Sequence, residues 1–503
     1  MVASRQSLSG TAIRSWRGAA GRRAGSSVGS VLLVLGLAVA CFVLGVASVI
    51  VGAVSADRPA FAVALPLLIA IAFTFVLFPK ALLVAIVVLR GGTDPLFQGT
   101  QLAGVGGLGG LLNLAVIGLA FIFVLQDPKR LPRAAWWAWL PFMAMQFVGL
   151  AYSPDLFPSF RLVLGQTSTF AMFVLAFYLV DDFRSLDKAL RLVLMSSVLV
   201  AAVSIVAIAR GQTASTLDGM ETVSGRYGGP FPHPNILAFY LVLVIGVVLY
   251  LWKGARSTAG WFAKAAYMLY VLLLLGLLLA TKTRSAWLAA GFLFFLYGIL
   301  VERRYLLYLL AVPALALLIP EFRDRVLDLG QGNAYVQYAK LNSFAWRKLM
   351  WTSGLQWMAR SHYFAGYGLG SFLYHSATFF PMSGGLHMGA HSVPVQLFFE
   401  MGIPGVSTFF YLFIASFRLL WRGRRADLLL CIVFGSALGT YLIVSASDNM
   451  LAYTVFNWYF WFTIGGACAA VAKLPEHRVE ASAVDQHQAR SRSRLQKVWR
   501  YRP

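Results

Sequence analysis

Long apolar runs, separated by short basic or glycine- and proline-rich stretches, alternate along the whole 503-residue chain. A helix needs about 20 apolar residues to cross the hydrocarbon core of a bilayer. On that measure the pattern predicts spans at 30–54, 59–78, 79–90, 103–125, 134–151, 162–180, 190–209, 235–252, 262–280, 285–301, 304–319, 394–421, 427–447 and 453–472. The third is short and opens on Pro79, which suits a half-helix or a tilted partner of the second. No repeat relates the two halves of the chain by eye. The expected fold is an all-α polytopic membrane protein of about 12–14 transmembrane helices, the form in which a backbone satisfies its own hydrogen bonds in lipid.

Composition sharpens this picture. The chain is 59% hydrophobic and 12% charged, against about 25% charged in a soluble domain. No polar stretch exceeds roughly 75 residues, below the usual domain size of about 100–150. The net charge of +23 comes from 42 basic and 19 acidic residues scattered between the apolar runs. That distribution fits loops on the cytoplasmic side of a membrane, so the bilayer is the expected partner and nucleic acid is not. Basic clusters occur at Arg5, Arg14, Arg17, Arg22 and Arg23, at Lys129, Arg130 and Arg133, at Arg184, Lys188 and Arg191, and from Lys473 onward. With every segment crossing, all fall on one side; if 79–90 does not cross, the N-terminus changes side. The first apolar run is too long for a signal-peptide core and is expected to stay as a transmembrane helix. Cys41, Cys431 and Cys468 lie far apart in apolar runs and read as small buried hydrophobes. The expected division is a basic cytoplasmic tail (1–29), a transmembrane bundle (30–319), a loop with amphipathic helices (320–393), C-terminal transmembrane helices (394–472) and a second basic cytoplasmic tail (473–503).

The opposite side receives 151–161, 210–234, 280–286 and the long loop 320–393. Phe344, Leu349, Trp351, Leu355 and Trp357 follow helical spacing in that loop, which predicts short helices lying on the outer face.

A positive-inside bias leaves outer loops poor in arginine, yet Arg161, Arg226, Arg284 and Arg347 fall there. Arg226 precedes a Gly-Gly-Pro-Phe-Pro-His-Pro-Asn run that cannot be helical. Irregular backbone at membrane depth is tolerated where it lines a wet cavity. Arg284 opens a helix, where a cation opposes the dipole unless an anion joins it. Two readings stand for these arginines, snorkelling to lipid headgroups or ligand binding. Arg226 and Arg284 together suit a phosphate or diphosphate.

Five of the seven histidines, His233, His362, His375, His387 and His391, also fall on the outer side, without the spacing of a zinc site. His391 starts an apolar run, where an imidazole can take a proton from a hydroxyl or simply cap a helix. Gln396 and Glu400 share a helical face four residues apart. They read as structural support that holds His391 in place, with a direct acid role as the alternative. Asp448 and Asn449 are further polar candidates. No metal site and no cofactor are expected.

In this order, four motifs resemble those of the bacterial O-antigen ligase and Wzy-type polysaccharide polymerase superfamily. They are Arg226 through Phe231 to Pro234-Asn235; Thr283-Arg284-Ser285; Arg347 and Trp351 leading to Gly366, Gly368, Gly370 and Phe372; and His391, Gln396, Glu400, Gly402 and Gly405. The motifs span 220–410 and the topology spans the chain. Where the family often has Asn after the histidine, this chain has Ser392.

The resemblance implies a GT-C-type membrane glycosyltransferase of the bacterial inner (plasma) membrane, with its active site and long helical loop, placed before the third-last helix, facing the periplasm. Its donor is a glycan on undecaprenyl diphosphate. Its acceptor is a sugar hydroxyl, on another glycan or on lipid A–core. The reaction inverts the anomeric centre and needs no metal. On this reading His391, Arg226 and Arg284 are catalytic, and Arg347, Arg161, Asn235, Tyr367 and Gly368 contact substrate. Polymerase and ligase both fit, with a lean to polymerase of O-antigen or exopolysaccharide. The rivals from other classes are a flippase or transporter, and a non-catalytic scaffold.

Overall fold

The computed structural model describes residues 74–97 except 76, then 107–218, 221–254, 260–318, 341 and 343–474, with 320, 323 and 327 as isolated points. The predicted span 30–54, most of 59–78 and nearly all of both predicted basic tails lie outside the described residues. Contacts divide the chain into two units, 1–82 and 83–503, and the architecture below is that of the second.

Helix α1 (Pro79–Leu89) leads into the unit, followed by α2 (Asp94–Phe97), α3 (Gly107–Gln126), α4 (Arg133–Ala151), α5 (Leu156–Leu179) and α6 (Phe183–Ala209). A hairpin, β1 (Ala214–Asp218) and β2 (Glu221–Arg226), precedes α7 (Pro234–Lys253), α8 (Trp261–Ala280), α9 (Arg284–Leu300) and α10 (Arg304–Ala316). Then come α11 (Ser343–Trp357), α12 (Ser371–Phe379), α13 (Val393–Trp421), α14 (Leu428–Ser445) and α15 (Thr454–Ala472). Among the described residues nine helices, α3 to α8 and α13 to α15, are long and apolar enough to cross a membrane. The chain is an all-α polytopic membrane protein. Helices α1, α9 and α10 are apolar but shorter. Helix α6 begins seven residues before the predicted start of its span. Asp182 and Ser185 form a reciprocal capping box there and draw the basic DDFRSLDK stretch into the helix.

Helices α7 and α15 are the centre, each 94% buried over its spanning window, as expected of helices apolar on every face. Successive connections alternate between two ends. At one end Lys473 meets Asp181 at 2.8 Å, Arg130 meets Asp181 at 3.3 Å, and Lys253 and Arg304 meet Glu302 at 3.0 and 2.8 Å. Helices α5, α7, α9, α13 and α15 all start at the other end, so their positive dipole ends gather there.

One intramembrane feature has no counterpart in the sequence reading. After α1 the chain breaks at Gly91, whose amide donates to Tyr459 Oη at 2.8 Å. A Cβ on Gly91 would stand 3.1 Å from Ser196 Oγ, midway along α6. Across the break Arg90 pairs with Asp94, their side chains 10% and 5% exposed. The guanidinium also lies over Phe97 at 4.5 Å and Trp458 at 5.9 Å. Removing one partner of a buried pair strands the other charge, at about 3–5 kcal/mol. Asp94→Ala is therefore expected to lower stability by that order in detergent unfolding curves, while the double change Arg90→Met with Asp94→Leu recovers most of it.

The described part of the long loop, from Ser343 on, folds into a cap with its own core, and most of its predicted first part, 320–342, lies outside the described residues. Trp346 and Met350 of α11, with Met358, Phe372, Phe379, Phe380, Ala390 and Phe399, are buried together. The buried stripe of α11 is Trp346, Met350 and Gly354. The predicted stripe began at Phe344, which is exposed. The cap takes in the first nine residues of α13, because that helix breaks at Gly402, with φ 62° and ψ −157°. Pro404 lacks the N–H that would bond to Glu400. The Glu400 carbonyl accepts instead from Gly368 N at 2.8 Å, the Phe399 carbonyl from Tyr367 N at 3.0 Å, and Ile403 N donates to the Tyr363 carbonyl at 3.0 Å. These three bonds to the glycine turn 363–370 take the place of helical ones around the kink, as buried peptide groups require. Leu369 N donates in turn to the carbonyl of Gly149 on α4, at 2.9 Å.

Candidate active site

The hairpin, the α8–α9 junction, the α14–α15 junction and the cap meet at the end where α7 and α15 begin. Arg226 is the hub, 3% exposed. Its Nε donates to the Thr281 carbonyl at 3.0 Å, and its Nη2 donates to Asn235 Oδ1 at 2.5 Å and to Thr283 Oγ1 at 3.0 Å. Asn235 Nδ2 passes the chain on to Asp448 Oδ2 at 2.6 Å. Asp448 Oδ1 accepts from the Tyr453 hydroxyl at 2.5 Å and from Asn449 N at 2.8 Å. Burial and the neighbouring Asp448 carboxylate push the Tyr453 phenol well above its ordinary range, so it stays a donor at physiological pH. Asn235 is placed by its own helix start: Pro234 fixes the first turn, and His233 Nδ1 accepts from Asn235 N at 3.1 Å.

The cap approaches this network through α11 and the 389–391 segment. Arg347 is close enough to act electrostatically on Tyr453. The Trp346 and His391 rings meet edge to face at 5.9 Å. Trp351 Nε1 donates to the Ala390 carbonyl at 2.6 Å, and a Cβ on Gly389 would stand 2.7 Å from Asn449 Nδ2. His391 is thereby held from both sides.

Its backbone lies in the left-handed region, at φ 48°. Among the described residues only one other non-glycine does so, Lys282 at φ 53°, which sits between the two threonines that bind Arg226. Strained residues of this kind persist only where surrounding contacts force them, and they cluster at functional sites.

The predicted site residues therefore divide. Arg226, Asn235, Arg284, Arg347 and His391 lie on the elements that converge, together with Asp448 and Tyr453. Of these, Tyr453 went unread in the sequence; as an aromatic between two spans it resembles a membrane-interface residue. Lys282 also went unread. Arg161 is exposed on the second turn of α5, its guanidinium 4.6 Å above Phe157. Tyr367 and Gly368 give their amides to the α13 kink. The Tyr367 ring stacks on His362 at 4.1 Å, and its hydroxyl accepts from Ala359 N at 2.9 Å. Gln396 Nε2 donates to Glu400 Oε1 at 3.2 Å. The fully buried Glu400 faces the backbone amides of Gly370 and Phe372. This pair braces the glycine turn within the cap that carries His391. The outer histidines scatter: His375 packs on Trp357 at 5.0 Å and His233 on Tyr453 at 6.3 Å.

One helical turn below Asn235 an apolar cleft lies between α7, α9, α14 and α15, lined by Phe239, Leu243, Ala289, Thr440, Val444 and Met450.

A search of curated proteins finds no match to the chain. Residues 269–410 match the family model described as O-antigen ligase, a stretch that holds Arg284, Arg347, the glycine turn, His391 and Glu400. The match covers 142 of the 503 residues; over that segment the chain is similar to the O-antigen ligase family, which supports a glycan-transfer role in the membrane.

Proposed function

We propose that this protein is an inverting glycosyltransferase that moves a glycan from undecaprenyl diphosphate to an acceptor sugar hydroxyl, in polymerisation of O-antigen or exopolysaccharide. What supports the reading is that the elements carrying a left-handed His391, Arg226, Arg284 and Arg347 converge at one end of the bundle, where the two central helices start. The basic clusters at the opposite end support a cytoplasmic assignment for that end. The site then faces the periplasm of the inner membrane.

In the proposed step the acceptor oxygen attacks the anomeric carbon as the carbon–oxygen bond to the diphosphate breaks. His391 takes the hydroxyl proton, and the electron pair of the broken bond leaves with the lipid diphosphate. Arg284 and the positive helix ends stabilise the growing charge, the part a divalent cation plays in other enzymes. Arg226 builds the site by tying the hairpin to α7 and α9. Tyr367 and Gly368 act in this proposal through the kink of α13, and Arg161 is left as an outer contact for glycan. A second reading, transfer to lipid A–core, is favoured by the description of the matching family model.

Purified protein supplied with a lipid-diphosphate glycan, with and without lipid A–core, tests both. Longer lipid-linked chains mark a polymerase, glycan on lipid A–core marks a ligase, and no transfer to either overturns the proposal. In the same assay Arg284→Ala is expected to cut kcat about 10²-fold, as for other donors that act on developing charge. Wild-type kcat in that variant removes Arg284 from the mechanism.

A further inference from the structure

We propose that Lys282 is the side chain that grips the diphosphate of the donor, an inference that rests on the function proposed above. Arg226 is buried and bound to Thr281, Asn235 and Thr283. Its charge organises the site, which leaves the ligand to Arg284 and a second cation beside it. Lys282 is half-buried between those same threonines. Among the described residues its ammonium has no hydrogen-bond or ion-pair partner.

Three features prepare that ammonium for an anion. The first is the left-handed backbone at φ 53°, which a lysine adopts only under constraint. Glycine would take this conformation without strain, yet the chain carries lysine. The second is the space made for it. Gly225 next to Arg226 also has positive φ, at 73°, and a Cβ there would stand 3.6 Å from Lys282 Nζ. The third is the start of α9 immediately after it, where Thr283 makes no side-chain cap to the first amides. Uncapped amides at a helix start bind phosphate oxygens. The oxygen of Thr283 is instead directed to Asn235 and Arg226. In the reaction Lys282 remains an ammonium. It forms no covalent bond, and donates hydrogen bonds to the diphosphate oxygens as they take up the electron pair of the breaking bond.

The test uses full-length protein in lipid nanodiscs, an undecaprenyl-diphosphate glycan as donor, and undecaprenyl diphosphate alone as a binding probe. Lys282→Gly is expected to raise Tm, because it relieves the left-handed strain. It is also expected to raise donor KM and the Kd of the probe about 10- to 100-fold, the effect of losing a charge-assisted bond, with acceptor KM unchanged. Lys282→Arg keeps the charge and is expected to recover part of the loss. Lys282→Asn is uncharged and tolerates the backbone, so it serves as a second folded variant. Wild-type donor KM and probe binding in either neutral variant, with His391→Asn inactive, overturns the role of Lys282 and leaves the functional reading intact. A rise in acceptor KM alone also overturns it. Failure of the wild-type protein to use the lipid-diphosphate donor overturns the functional reading, and this role with it.

Discussion

His391→Asn should give a folded protein with about 10²- to 10⁴-fold less glycan transfer, the range usual for loss of a general base. Asparagine is the informative replacement. It tolerates left-handed backbone better than other non-glycine residues, so the φ of 48° can be kept. Alanine would mix lost chemistry with released strain. Trp351 and Asn449 grip the backbone on the N-terminal side of position 391, and those contacts do not depend on the imidazole. The Asn variant should therefore match the wild type in Tm and in binding of undecaprenyl diphosphate, and differ in the rate of a single turnover. Transfer at more than a tenth of the wild-type rate excludes His391 as the base.

Gly402→Ala is expected to be the most damaging single methyl group in the described chain. At φ 62° and ψ −157° Gly402 occupies a region that is nearly closed to other residues, at about 1–3 kcal/mol. The added Cβ would also stand 2.1 Å from the Phe364 carbonyl oxygen, a backbone atom of the turn that replaces the bonds of α13. Overpacking of that kind adds about 1–3 kcal/mol. The expected outcome is a cap that opens at lower temperature than the membrane bundle, seen as early proteolysis between residues 343 and 392, with glycan transfer lost in parallel. A Gly402→Ala protein with wild-type Tm and a protected cap contradicts this account of the kink. Gly366→Ala, whose Cβ would stand 2.3 Å from the Glu400 carbonyl carbon, tests the same joint from the turn side.

Much of the bundle was legible because lipid makes helices declare themselves as apolar runs. Every predicted span within the described residues corresponds to a helix, with ends displaced where caps such as Asp182 intervene. Arg226, Arg284 and His391 were legible as polar groups on the side where they are least expected. What escaped depends on partners distant in sequence. Phe344, Trp346, Leu349 and Trp351 surround α11 with apolar groups, so only the packing of Phe372, Phe380 and Phe399 decides which stripe is inside. The hairpin is short, and its pairing, with Ala214 opposite Arg226, is not written in any local alternation. Within the Gly366–Gly370 motif, Tyr367 and Gly368 read as substrate contacts. The motif's purpose becomes visible only beside Pro404, whose missing donor it replaces. Arg90 and Asp94 went unread because a single arginine after an apolar run resembles the usual end of a span.

The break at Gly402 has a consequence for how such a protein can diversify. On the proposed reading, the leaving group is handled by residues anchored in the bundle, whereas the proton acceptor rides on the cap. The two parts are joined by a stitched seam of backbone bonds and a few side-chain contacts. Sequence drift in 343–392 can reshape which hydroxyl is presented to His391 without disturbing the grip on the lipid carrier. An exchange of that segment between relatives should transplant acceptor preference while donor preference stays with the host.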